Sequence, residues 1–161
     1  MYLLRNDQRV RLAICVGVPM IFGILSGLLN FWPIMSACRK LHKPPFTLPG
    51  ILSILFWLVI YFAIGLASFL VLESHVYKEE KRIALLACAC QLVLHSFWIF
   101  SFFHTRLTLL GALLHLIYTA AVGLNTLLYL KIDQRAGLLM FPCAAFCIYY
   151  TYLTLALIFV N

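Results

Sequence analysis

Histidines and cysteines are the residues of this sequence best suited to chemistry, but their spacing forms no known site. His95 and His115 lie well inside apolar stretches, and neither has a carboxylate or a second histidine three or four residues away. A metal site or proton relay on one helix face is therefore not predicted. Five of the six cysteines also lie in apolar runs, and no CxxC pair occurs, which disfavours zinc or disulfide chemistry. With no Ser/His/Asp arrangement and no glycine-rich phosphate loop, we expect no catalytic residue, no metal ion and no enzymatic activity.

Aromatic rings at helical spacing are a more informative pattern. Residues three, four or seven positions apart share one face of a helix. Three such stripes are formed by Trp57 and Tyr61; by His95, Trp98 and Phe102; and by Phe146, Tyr149 and Tyr150. Ligand sites are mostly apolar and aromatic with a few polar groups, so these stripes favour a cavity for a flat hydrophobic molecule. The same rings are equally compatible with helix packing or with the aromatic belts of membrane proteins.

The composition decides which solvent surrounds these rings. The chain has 161 residues, of which 65% are hydrophobic and 11% charged, and its mean hydropathy is +1.02. A soluble domain has about 25% charged residues, and a chain this short cannot bury so much apolar surface. Disorder is excluded by the same hydrophobicity. The net charge of +7 comes from short basic clusters between apolar runs rather than from one patch, so we do not expect a nucleic-acid partner.

Five apolar segments are long enough to cross a bilayer as helices. A span needs about 20 apolar residues, and continuous runs favour helices over a β-barrel. The segments are approximately 10–29, 50–72, 83–103, 107–130 and 137–160. We therefore predict an all-α membrane protein, a five-transmembrane-helix bundle, as one domain over residues 1–161. The first segment is read as a retained helix rather than a signal peptide, because it is long and lacks a small-residue cleavage site.

The connections differ in length and charge. The longest is predicted over Asn30–Pro49, and the connection over Glu73–Arg82 is strongly charged. Five spans place the N-terminus and the second and fourth connections on one side of the membrane, with eight Lys/Arg against four on the other. This count favours an N-terminus in the cytosol.

Small residues and prolines indicate how the helices contact one another. Gly23 and Gly27 form a GxxxG pattern, which allows close approach of two helices within the bundle or, as an open alternative, in a homodimer. Pro19 and Pro142 lie inside predicted helices, where they are expected to cause kinks.

The order of several motifs resembles the translocator protein family (TspO/MBR, the peripheral-type benzodiazepine receptors). The segment Gly17–Gly23 is similar to the family's G-x-P-x-x-x-G. Further similar positions are Lys43-Pro44, Pro49, Trp57 and Tyr61; Gln91-Leu92, Trp98 and Phe102-Phe103; and Ala136-Gly137-Leu138-Leu139 with Pro142. The resemblance covers residues ~15 to ~155, while His95 and Phe146 replace the family's asparagine and tryptophan.

The resemblance implies a function and a location. It implies a non-enzymatic protein of the lipid bilayer that binds, and in an open extension translocates, cholesterol or porphyrin/haem between its helices. The ligand-binding residues would be Phe46, Trp57, Tyr61, His95, Trp98, Phe102 and Phe146. In this hypothesis Phe46 is part of a lid, and His95 supplies a hydrogen bond or an axial ligand to haem iron. The expected location is the mitochondrial outer membrane, with the endoplasmic reticulum or plasma membrane as alternatives.

Two other functions fit the same sequence. A membrane scaffold would use its basic loops, Arg39–Lys43 and Lys78–Arg82, to dock partners or anionic headgroups. A porphyrin-degrading enzyme is the bacterial-type interpretation of the same resemblance, but it depends on tryptophans that this chain partly lacks.

Overall fold

The computed structural model describes residues 6–40, 42, 44–105 and 108–160. It contains five long helices: α1 Asn6–Lys40, α2 Gly50–Glu73, α3 Lys78–Ile99, α4 Thr108–Ile132 and α5 Gln134–Val160. Each of them is long and apolar enough to cross a membrane. The described part of the chain has no β-strand, so the predicted all-α, five-helix membrane fold is confirmed.

The N-terminal boundaries of two helices differ from those predicted, for reasons of capping and charge. α5 begins at Gln134 because the carboxylate of Asp133 accepts hydrogen bonds from the backbone N–H groups of Arg135 (2.7 Å) and Ala136 (3.2 Å). α3 begins at Lys78 rather than near residue 83, and Glu79 and Glu80 occupy its first turn. Acidic side chains there interact favourably with the positive end of the helix dipole.

α1 is much longer than the sequence suggested. The loop predicted to start at Asn30 starts only after Lys40. Asn30 does not end the helix, because its side-chain amide donates to the Ser26 carbonyl one turn earlier, at 2.8 Å. The helix also passes through Pro33, and such prolines are tolerated in membrane helices.

The helices pack around one interior, and the outer surface is apolar. α1 packs mainly on α2, while α4 packs on both α3 and α5. Close approach of α1 and α2 depends on Gly65, where a Cβ would lie only 2.5 Å from the Val16 Cα. Large hydrophobic side chains such as Leu29, Val59 and Leu124 are exposed on the outside, as expected of surfaces that contact lipid.

Candidate functional site

Aromatic and imidazole rings from four helices meet in the middle of the bundle. We call this the ring cluster; its members are Trp57, Tyr61, His95, Trp98, His115, Tyr118, Phe146 and Tyr150. The closest centroid distances, both 4.3 Å, join Trp57 to His95 and Trp98 to His115. The cluster brings together five of the seven ligand-binding residues predicted from sequence, the exceptions being Phe46 and Phe102.

His95 is held at the centre of the ring cluster by a neighbouring helix. Its side chain is buried, and its Nδ1 lies 2.8 Å from the hydroxyl of Tyr61 on α2. Which of the two atoms donates depends on the imidazole tautomer. Tyr61 lies 34 positions from His95 in the chain, so spacing along a single helix gives no signal for this contact.

Three ring nitrogens of the cluster have no hydrogen-bond partner among the described residues. They are His95 Nε2, Trp98 Nε1 and His115 Nδ1. His115 Nε2 lies 3.2 Å from the Cys147 carbonyl, which only accepts, so Nε2 carries the proton and Nδ1 presents a lone pair. Trp98 Nε1 is a donor. A donor and an acceptor, both unpaired, therefore occupy adjacent rings in an apolar interior.

Phe102 lies beside the ring cluster rather than in it. α3 is continued by a π-helical turn, Phe100–His104, in which the Thr105 N–H donates to the Phe100 carbonyl at 3.2 Å. This turn places Phe102 in a neighbouring apolar group with Trp98 and Ile99. Phe102 packs against Gly111 of α4, where a Cβ would lie 2.9 Å from the phenylalanine Cβ.

Phe46 lies outside the bundle, on the loop before α2. Its side chain is 85% exposed, and its φ of 64° is in the left-handed region, unusual for a residue with a large side chain. The loop is fastened to α5 because the Tyr149 hydroxyl donates to the Phe46 carbonyl (2.8 Å) and accepts from the Leu48 N–H (3.0 Å). The Tyr149 ring stacks on Phe146 of the ring cluster, with 5.7 Å between centroids.

The predicted packing residues have different surroundings. Gly23 lies against the ring of Tyr61, since a Cβ there would be 2.3 Å from its Cδ2. A Cβ on Gly27 would meet nothing within 4 Å, so the close contact expected of the GxxxG pattern occurs at Gly23 and not at Gly27. Pro19 is buried and Pro142 exposed, and both lie within continuous helices.

A second buried group, which the sequence analysis did not identify, lies toward the opposite end of α2. We call it the polar node; its members are Ser68, Cys88, Gln91, Asn125 and Tyr129. Asn125 Nδ2 donates to Gln91 Oε1 at 3.2 Å, and the hydroxyls of Ser68 and Tyr129 are 2.8 Å apart. Gln91 Nε2 and Asn125 Oδ1 have no partner among the described residues. The sequence did contain one signal for this pair. Gln91 and Asn125 are amide residues in apolar helices, so a hydrogen-bond partner on another helix could have been expected.

Comparison with known proteins gives the family. The TspO/MBR family profile matches residues 15–160. The chain belongs to the TspO/MBR family. It is also similar to the tryptophan-rich protein TspO of Chlorobaculum tepidum, with 25% identity over 156 residues, covering 97% of this chain and 99% of that relative. The predicted family resemblance is therefore confirmed, and the chain is an integral, multi-pass membrane protein.

This TspO/MBR protein has three tryptophans, each in a different setting. Trp98 is buried in the ring cluster, Trp57 is half-buried at the edge of it, and Trp32 on α1 is 77% exposed. The rings are packed against one another, and none of them lines either of two surface recesses at the connection between α2 and α3. Among the described residues, no group of three His, Cys, Asp or Glu is placed to hold a metal ion.

Proposed function

We propose that this TspO/MBR protein binds a flat hydrophobic ligand carrying one polar group, and that it does so at the ring cluster without catalysing a reaction. The observation that carries the proposal is the presence of unpaired, buried ring nitrogens among closely packed aromatic rings. The rings offer flat apolar faces, and the nitrogens offer the few polar contacts that orient a ligand in such a site.

The unpaired atoms favour a hydroxyl group on the ligand. An unsatisfied buried polar group costs about 1–3 kcal/mol, so a ligand that pairs with these atoms gains affinity. Trp98 Nε1 donates and His115 Nδ1 accepts, on adjacent rings. A hydroxyl both donates and accepts, which makes a sterol such as cholesterol the first ligand to test.

Porphyrin or haem is the second ligand of the proposal, and haem binding requires a particular tautomer of His95. Axial ligation of haem iron needs a lone pair on His95 Nε2, and therefore a proton on Nδ1 that is donated to the Tyr61 hydroxyl. A sterol makes no such demand. Haem ligation thus requires one tautomer of His95, whereas sterol binding is compatible with either.

Ligand access is proposed on the side of the loop that carries Phe46. The Tyr149 hydroxyl contacts this loop, and the Tyr149 ring contacts the ring of Phe146. Movement of the loop would therefore release Phe146, an outer member of the ring cluster. In this proposal the backbone near Phe46 acts as a lid, and passage of ligand through the opened lid is the step from binding to translocation.

Tryptophan emission tests the proposal directly. Purified protein in detergent is titrated with a fluorescent sterol and, separately, with protoporphyrin. We expect quenching that saturates at micromolar or lower ligand concentration, and a loss of affinity of at least about tenfold in Trp57→Ala. Trp32→Ala is the matched control, because Trp32 is exposed and its ring contacts Phe31 rather than a member of the ring cluster, and it should bind as the unsubstituted protein does. Equal binding by both variants, or saturation with neither ligand, would contradict the proposal.

We propose the mitochondrial outer membrane as the location, on the strength of the family resemblance. Cell fractionation with protease protection tests it. Recovery in the endoplasmic reticulum or plasma membrane would contradict this part of the proposal and leave the ligand site unaffected.

A further inference from the structure

A recess of about 520 Å³ lies where α2 ends and α3 begins, away from the ring cluster. We call it the basic recess. It is lined by three leucines and three cationic residues: Leu72, Leu85, Leu86, Lys78, Lys81 and Arg82. Because α2 ends at Glu73 and α3 begins at Lys78, the basic recess is at the level where the chain leaves the apolar part of the membrane.

The cations of the basic recess are available to a ligand. Lys81 donates to the carbonyls of Leu72 (2.9 Å) and Ser74, which leaves one of its three N–H groups unused by these bonds. Arg82 is 70% exposed and its nearest carboxylate, on Glu79, is 3.8 Å away. An exposed pair at that distance is weak. Lys78 is also exposed.

The acidic group nearest to this end of α2 is already engaged. Glu73 forms an ion pair with Arg11 at 2.8 Å and accepts a hydrogen bond from Gln8 at 3.0 Å. Arg11 and Gln8 both lie on α1. Neither Glu79 nor Glu80 lines the basic recess. The recess therefore combines a cationic rim with an apolar floor, and none of the described carboxylates is part of its lining.

We propose that the basic recess binds the headgroup of an anionic phospholipid, with the acyl chains lying along the outer face of α3. The phosphate is attracted by the three cations. The leucine floor continues onto lipid-facing residues such as Ile83, which is 56% exposed. A free anion would gain nothing from this floor, so the apolar lining selects a lipid over soluble phosphate.

Native mass spectrometry of delipidated protein in detergent tests the assignment. Phosphatidylserine and phosphatidylcholine are added at equal concentration, and the lipid-bound fractions are compared. We expect several-fold more phosphatidylserine than phosphatidylcholine on the unsubstituted protein. The double variant Lys78→Gln/Arg82→Gln should lower phosphatidylserine affinity by roughly tenfold or more.

A matched control separates a site from general charge. Lys131→Gln/Arg135→Gln removes two exposed cations from the same end of the bundle, and neither residue lines the basic recess. We expect this variant to retain phosphatidylserine. An equal loss in both double variants, or no preference for phosphatidylserine, would overturn the proposal.

Two further measurements complete the test. Glycerophosphoserine, the headgroup without acyl chains, and inorganic phosphate should compete poorly; competition as strong as that of the lipid would overturn the role of the leucine floor. Sterol titration of Lys78→Gln/Arg82→Gln should match the unsubstituted protein, which shows that the variant is folded. Loss of sterol binding together with lipid binding would overturn an independent lipid site.

Discussion

The ring cluster and the polar node lie next to each other in the same bundle, yet the hydrogen bonding of their polar atoms differs. One turn of α3, about 6 Å, separates His95 of the ring cluster from Gln91 of the polar node. In the polar node, short hydroxyl and amide groups pair across α2, α3 and α4. In the ring cluster, three nitrogens on rigid rings have no partner in the part of the chain that the structure describes.

This difference separates a structural role from a binding role. The two atoms of the polar node without a partner among the described residues are a donor on Gln91 and an acceptor on Asn125, on flexible side chains that already share one hydrogen bond. The nitrogens of the ring cluster are fixed by the packing of their rings. We therefore expect substitutions in the polar node to change stability, and substitutions in the ring cluster to change ligand affinity as well.

The largest effect is expected at the contact that holds α2 against α1, on which both regions depend. In Gly65→Ala the new Cβ would lie 2.5 Å from the Val16 Cα and 2.8 Å from the Cys15 carbonyl oxygen. Neither atom belongs to a flexible side chain, so α1 must shift, at a cost of about 1–3 kcal/mol. Thermal unfolding in detergent should show a clear fall in Tm. Gly27→Ala is the control, since its Cβ meets nothing within 4 Å; equal falls in both variants would contradict the packing described here.

The next effect tests whether the polar node is a paired structural unit. Asn125→Leu leaves the Gln91 amide without its partner, which should cost about 1–3 kcal/mol. Adding Gln91→Met removes the second amide and should restore much of the lost Tm, because an apolar pair has no unsatisfied atoms. Thermal unfolding of the two single variants and the double variant forms the cycle. Additive losses would show that the two amides do not act as a pair.

Two tyrosine hydroxyls provide the sharpest comparison between the regions. Tyr61→Phe removes the bond to His95, and Tyr129→Phe removes the bond to Ser68. Each is expected to cost about 1 kcal/mol of stability. Sterol and protoporphyrin titrations should weaken only in Tyr61→Phe, since His95 then loses the contact that orients it. Equal ligand affinities in the two variants would contradict a binding role for the ring cluster that the polar node does not share.

The smallest effect on stability is expected at the loop that covers the ring cluster. Tyr149→Phe removes two hydrogen bonds to an exposed loop, so Tm should fall by less than Tyr61→Phe causes. Stopped-flow fluorescence should nevertheless show faster sterol release, because the lid is no longer fastened to α5. Tyr152→Phe, which removes one longer bond of 3.2 Å to the Pro45 carbonyl, should change release less. Unchanged release in Tyr149→Phe would argue against a lid at Phe46.

The sequence was sufficient to predict the five spans and the helix faces that carry the rings. Apolar runs and helical spacing are local properties, and so Trp57 and Tyr61, or His95 and Trp98, were correctly expected to share faces. Partners on other helices are not local. The contact between His95 and Tyr61 joins residues 34 positions apart, as does that between Gln91 and Asn125.

Two further features could not be predicted from local sequence patterns: the end of α1 and the position of Phe102. The end of α1 was predicted at a polar asparagine, but Asn30 satisfies its own amide within the helix and does not stop it. Phe102 was assigned to the stripe of His95 by α-helical spacing, whereas the π-helical turn begins at Phe100 and places it in the neighbouring apolar group. Neither feature has a periodic signal in the sequence.

The length of α1 has a consequence for the shape of the protein outside the bilayer. Its 35 residues measure about 52 Å along the helix axis, whereas the hydrocarbon layer is about 30 Å thick. Unless α1 is strongly tilted, several of its turns overhang the membrane surface as a rigid post. An epitope inserted where α1 ends would then lie outside the bilayer, and an antibody added on one side alone would report which way the protein is oriented.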